Sequence, residues 1–177
     1  MTTLDSLLLP FRSQPPPPRL RQGYGLVANH WPDATALNRL LELADEPPRS
    51  GERWQLVLER SLWHLGVIDP GGQLVGFVRA TSDRALNANL WDLVTAPADP
   101  ARDTVIRALV VAALDRLRRE LSGCSISISA PAEAIAVLQQ AGFVIDPGGI
   151  RAMGLVLSGR AEIPTAGDQA PGVDQES

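Results

Sequence analysis

Asp92 stands in the stretch Asn87–Val94, NANLWDLV, between Trp91 and Leu93. Carboxylates are disfavoured inside strands, so one placed there asks for a reason. A carboxylate among apolar neighbours can take a proton from an ammonium substrate, directly or through water, which makes Asp92 the candidate general base. Two structural alternatives stand beside that role: a hydrogen bond to a backbone turn, and an ion pair with Arg79 across the hairpin. Asp83 reads as the side-chain cap of the turn Ser82–Asn87. His64, in an apolar run, reads as a core histidine, and His30, beside Trp31-Pro32, as a loop residue. The two histidines and the single cysteine, Cys124, have no metal-ligand spacing, so no metal site is expected. Cys124 reads as a buried, inert thiol. Trp31, Trp54, Trp63 and Trp91 read as packing residues rather than an aromatic cage.

These residues need elements to hold them. Leu20–Asn29 is a short strand candidate. Asp33 can cap a helix running through Ala44, with Leu37, Leu40 and Leu41 at helical spacing. Glu52–Ser61 is a second helix and Leu62–Ile68 a strand. Asp69-Pro70-Gly71-Gly72 turns the chain, because proline presets φ and glycine accepts φ > 0. Gln73–Thr81 pairs back, and Asn89–Thr95 follows as the next strand. Asp103–Leu121 carries the strongest apolar stripe, through Val105, Leu109, Ala113 and Leu117, with Arg118 and Arg119 on a solvated face. Cys124–Ser129 alternates Ser and Ile with period two. Pro131 opens a helix over Ala132–Ala141, and Phe143–Ile145 and Ala152–Leu157 are the last two strands. The order predicts an α/β fold: an antiparallel meander followed by a β-α-β crossover.

A chain of 177 residues with 45% hydrophobic and 20% charged residues can build one domain with a sizeable core. The formal net charge of −4 argues against nucleic acid as a partner, since phosphate binding draws on clustered basic residues. No apolar run approaches the roughly 20 residues that span a bilayer, and the first residues lack the basic start of a signal peptide. A cytoplasmic protein with no membrane partner is the expectation. Residues 1–19, with four consecutive prolines at Pro15–Pro18, read as a Pro-rich arm. Residues 159–177 read as a disordered acidic tail, which leaves 20–158 as the folded domain.

The motifs VGFVRATSD (Val75–Asp83), NANLWDLV and AGFVIDPGGIRAM (Ala141–Met153) resemble the GNAT N-acetyltransferases, and most of all their plastid and cyanobacterial branch. The likeness runs over Gln73–Val156. It implies a GNAT-like mixed, mostly antiparallel sheet with splayed central strands flanked by helices. It also implies acetyl-CoA as co-substrate and an amine acceptor, either a small molecule or a protein, served by a monomer or homodimer. In the family, the fourth strand pairs with the pantetheine arm, and the next helix receives the pyrophosphate on its N-terminal amides. Carried over by resemblance, Leu93, Val94 and Thr95 are the pantetheine-pairing segment, with a wedge between the strands at Leu93 and Ile126. Arg102, Asp103, Thr104, Val105, Ile106 and Arg107 belong to the pyrophosphate loop that opens at Ala101.

The sequence departs from the family at two places. Where the loop carries two glycines, this chain has Thr104 and Ile106, while Arg102 and Arg107 add charge that can compensate. Thr104 or Asp103 is expected to cap the helix and so to occupy an amide that a phosphate would use. Where the family often has Phe-Tyr, with the tyrosine as acid, this chain has Val137-Leu138, and leucine donates no proton. The sole tyrosine, Tyr24, lies near the first strand. Two functions follow: an acetyl-CoA-dependent N-acetyltransferase, or a degenerate relative that keeps the fold as a CoA-binding or protein-interaction module.

Overall fold

The computed structural model describes residues 19–30 and 32–147. Their elements are β1 (Gly25–Ala28), α1 (Ala34–Leu43), α2 (Gly51–Glu59), β2 (Trp63–Ile68), β3 (Leu74–Ser82), β4 (Asn87–Thr95), α3 (Arg102–Glu120), β5 (Ser125–Ile128), a 3₁₀ turn (Ala132–Ala134) and α4 (Ile135–Gln140). The first four strands form an antiparallel meander. β5 lies parallel beside β4, giving the order β1-β2-β3-β4-β5. A parallel neighbour needs a long crossover, and α3 supplies it.

Local chemistry sets most boundaries. The Asp33 carboxylate accepts the Thr35 N–H at 3.2 Å and starts α1; the Ser50 hydroxyl accepts the Arg53 N–H at 3.3 Å and starts α2. In the β2–β3 turn, Asp69 Oδ1 accepts the Gln73 N–H at 2.8 Å, and Gly72 takes φ +78°, where a side chain would be strained. β1 is shorter than Leu20–Asn29, because Tyr24 N–H closes a turn on the Arg21 carbonyl at 3.0 Å and Gly23 sits at φ +86°.

The sheet is sandwiched between helices. A Cβ built on Gly76 would come within 2.5 Å of Val105 Cγ1, so α3 packs directly on that face of β3. Side chains alternate across a strand, and the next residue, Phe77, meets Trp54 of α2 edge-on at 6.2 Å between ring centroids. α1 and α2 therefore cover the opposite face.

One expected strand does not form. Phe143 N–H donates to the Leu138 carbonyl at 3.0 Å while Gly142 sits at φ +103°, so the first residue of the expected strand Phe143–Ile145 closes α4 instead. Val144 begins a second unit, and its described residues, 144–147, form no strand. The expected strand Ala152–Leu157, the Gly148-Gly149 turn residues, Trp31, the acidic tail and all but Arg19 of the Pro-rich arm lie outside the described residues.

Candidate functional site

β4 outruns its neighbour. The β4–β5 ladder pairs Asn87, Ala88, Asn89 and Leu90 with Ser125, Ile126, Ser127 and Ile128, then stops, while β4 continues to Thr95. Ile126 is thus the partner of Ala88, and the parting of the strands begins beyond Leu90–Ile128 rather than at Leu93 and Ile126. On the β3 side the register slips: Phe77 faces Val94 but Arg79 faces Trp91, so Val78 is opposed by both Asp92 and Leu93. This is a β-bulge, and Asp92 takes its left-handed residue at φ 52°.

The bulge decides where main-chain groups point. Ala96 N–H donates to the Val75 carbonyl at 2.9 Å, which makes 75/96 a hydrogen-bonded pair. Antiparallel pairing alternates, so Val94 spends its main-chain groups on Phe77, while Leu93 and Thr95 turn theirs away from β3, to the side where the β5 ladder has ended. The side chains of Leu93, Val94 and Thr95 are buried. Among the described residues no strand pairs with this edge of β4, so it is open in its hydrogen bonding, although the three residues themselves are buried.

Asp92 is held by two guanidinium groups. Arg79 Nε donates to Oδ2 at 2.5 Å and Arg49 Nη2 to Oδ1 at 2.9 Å, with the Asp92 side chain only 9% exposed. The cross-hairpin pair with Arg79 is the alternative raised from the sequence. Arg49 has no such signal: it follows Pro47-Pro48 and is brought in by Asn38 of α1. The Asn38 amide donates to the Arg49 carbonyl at 2.7 Å and accepts the Arg49 N–H at 2.9 Å, and it also accepts the Trp54 indole N–H at 2.7 Å. The Arg49 guanidinium lies 4.6 Å from the Trp54 ring centroid. Trp91, half-exposed beside this cluster, donates its indole N–H to Thr81 Oγ1 at 2.8 Å.

The residues expected to form the pyrophosphate loop are helical from Arg102 onward. α3 starts at Arg102 with no side-chain cap, so neither Asp103 nor Thr104 fills that role. Instead Asp99 accepts the Ala101 N–H at 2.7 Å and holds the Tyr24 hydroxyl at 3.1 Å. Val105 and Ile106 are core residues packed inward, Thr104 is half-buried, and Asp103 and Arg107 are exposed. Both arginines have partners after β5. Arg102 Nη2 donates to Glu133 Oε1 at 2.6 Å and its Nε reaches Thr95 Oγ1 at 3.3 Å, while Arg107 Nη1 donates to Gln140 Oε1 at 2.9 Å. At the exposure of the Arg102–Glu133 pair, 29% and 32%, such a contact contributes about 0.2–1 kcal/mol.

The other candidates settle into structure. His64 is buried, and its Nε2 donates to the His30 carbonyl at 3.0 Å; burial pushes its pKa below 6.5. Leu138 is packed in the core and Cys124 is half-buried. A cavity of about 170 Å³ lined by Val27, His30, Ala36, His64 and Phe77 includes neither Asp92 nor the open β4 edge. Among the described residues, no group of three or more His, Cys, Asp or Glu could hold a metal, and no helix is long and apolar enough to cross a membrane.

No family model matches the chain. It is 32% identical over 85 residues to an uncharacterized N-acetyltransferase, ycf52, of Pyropia yezoensis, covering 48% of each chain. It is 31% identical over 127 residues to the chloroplastic serotonin N-acetyltransferase 2 of Oryza sativa subsp. japonica, covering 68% of this chain and 61% of that one. The chain thus spans about half to three fifths of the length of these two curated relatives. Among solved structures, a probable acetyltransferase of unknown function from meticillin-resistant Staphylococcus aureus superposes with a TM-score of 0.67 at 14% identity, over 76% of this chain and 99% of that one.

Proposed function

Because this chain has the fold of the GNAT N-acetyltransferases and is related to them in sequence, we propose that it transfers an acetyl group from acetyl-CoA to an amine. The observation that carries the reading is the open edge of β4. A strand whose pairing with β5 ends early, beside a bulge, leaves the Leu93 and Thr95 main chain without a partner strand. Because these residues are buried, an extended ligand would pair with them as an added strand only by parting the chain that covers them. The residues present fit the co-substrate. The β4 edge would take the pantetheine arm, and the start of α3 would take the diphosphate chiefly through the Arg102 guanidinium, since Asp99 already accepts the Ala101 and Arg102 N–H groups. Ile106 does not obstruct that end, since its side chain is turned into the core.

Acetyl-CoA supplies an activated thioester to a nucleophile. The chain's contribution is to hold it and to aim main-chain N–H groups of the bulged segment at the carbonyl oxygen, where charge develops. Asp92 holds the bulge through Arg79 and Arg49 and so acts as a positioning residue, with both oxygens committed. The amine attacks the thioester carbonyl in its neutral form and loses its proton to water; as the carbonyl re-forms, the C–S bond breaks and CoA leaves as its thiolate, which is protonated by water. The acceptor is a small molecule or a protein. The serotonin acetyltransferase among the relatives makes an arylalkylamine the first acceptor to assay. We place the reaction in the cytoplasm.

The test is thermal unfolding with acetyl-CoA, followed by thiol release with a panel of amines. A ligand that binds only the folded chain raises Tm by mass action. A rise in Tm together with amine-dependent thiol release supports the reading. No shift at millimolar acetyl-CoA removes it, and a shift without thiol release leaves a CoA-binding module in its place.

A further inference from the structure

We propose that Glu133 sets the affinity of the acetyl-CoA cleft, by holding Arg102 until a diphosphate displaces it. This rests on the assignment of the open β4 edge to acetyl-CoA. Arg102 is the first residue of α3, Thr95 the last of β4, and Glu133 lies in the 3₁₀ turn beyond the end of β5. The guanidinium reaches Thr95 Oγ1 with Nε at 3.3 Å and Glu133 Oε1 with Nη2 at 2.6 Å. One side chain therefore joins the two walls of the parting between β4 and the chain after β5, at the end where α3 begins.

The contact is built to exchange. Both partners are about a third exposed, so water and ions reach them, and the pair is weak. A diphosphate offers the guanidinium several oxygens in a geometry that suits paired N–H donors, with the helix end adding its partial positive charge. Glu133 opposes that arrival in two ways. It competes for Arg102, and once displaced it remains a like charge beside the phosphates. Arg107 poses no equivalent conflict, because its partner Gln140 is neutral. Glu133, which no motif singled out, is thus the residue that tunes this end of the cleft.

Calorimetric titration of the full chain with acetyl-CoA tests this on the wild type, Glu133→Gln and Arg102→Gln, each checked for an unchanged circular dichroism spectrum. Glu133→Gln should tighten acetyl-CoA by about two- to fivefold, the free energy of one exposed ion pair, and Arg102→Gln should weaken it. S-acetylpantetheine, which lacks the diphosphate, should bind wild type and Glu133→Gln alike. If wild type binds acetyl-CoA and Glu133→Gln binds it no tighter, the inference fails while the acetyl-CoA assignment stands. An equal gain for S-acetylpantetheine also overturns it, because the gain would then come from loosening and not from the diphosphate. If neither protein binds millimolar acetyl-CoA, both readings fall together.

Discussion

Arg79 donates its Nε–H to Asp92 Oδ2 at 2.5 Å from the strand opposite the β4 bulge, and Asp92 itself sits at φ 52°. The pair ties the bulged strand to its neighbour where the β5 ladder has just ended. The left-handed conformation at a non-glycine residue is a local cost, and aspartate is among the residues that tolerate it best. The two guanidinium contacts hold it in place. A carboxylate used in this way shapes the edge on which the proposed chemistry depends.

Removing the Asp92 charge should therefore act on structure first. Asp92→Asn is expected to lower stability by about 2–3 kcal/mol, below the range for a fully buried pair because Arg49 is over a quarter exposed. Denaturant unfolding of Asp92→Asn, Arg79→Gln and the double variant should show strong non-additivity. A general base behaves differently: Asp92→Asn would then abolish turnover with stability intact and remove a limb from the pH–rate profile, while Arg79→Gln would leave that limb in place.

Restoring glycine at the two loop positions should have opposite consequences. Ile106 is packed in the core within a helix, so Ile106→Gly deletes a buried side chain and adds backbone freedom, for about 3–5 kcal/mol of destabilisation. Thr104 is half-buried near the start of α3, so Thr104→Gly should keep the fold and is the variant expected to strengthen acetyl-CoA binding. Melting curves and calorimetry on the two single variants check this. A stable Ile106→Gly protein would show that α3 does not pack as described.

The β3–β4 turn carries a pH dependence. Asp83 Oδ1 accepts the N–H groups of Asn87, Ala85 and Leu86 at 3.0, 2.9 and 2.8 Å, and these bonds hold its pKa at about 2, below the ordinary 3.8. A depressed folded-state pKa contributes stability that is complete above the unfolded value and lost as pH falls through the folded one. Asp83→Ala should thus lower Tm at neutral pH by an amount that stays constant down to about 3.8 and closes towards about 2. A gap that does not narrow over that interval would show that the turn does not depend on the charge.

What could be read along the chain was what depends on near neighbours. The cap at Asp33, the Asp69–Gly72 turn and the apolar stripe of α3 each involve residues within a turn or two of one another. Their backbone and solvation preferences act before any tertiary contact forms. The meander and the crossover followed from these, while the GNAT-like sheet was implied by the resemblance of the motifs around Val75–Val94 and Ala141–Met153. The expected strand at Phe143 failed at a point where two local signals compete: the apolar run Phe143–Ile145 reads as strand, yet Gly142 lets its first residue cap a helix.

Only the tertiary structure decided which side chains meet. Arg49 reaches Asp92 because Asn38 on α1 grips the loop between α1 and α2, and Arg102 reaches Glu133 because α3 and the turn after β5 converge at one end of the sheet. The β4 bulge, which turns Leu93 and Thr95 to the open side, is a matter of register between two strands. Contacts of this kind join residues tens of positions apart. They depend on how helices and strands pack to within an ångström or two, which residue types and spacing do not encode, whereas the elements themselves are written in short-range preference.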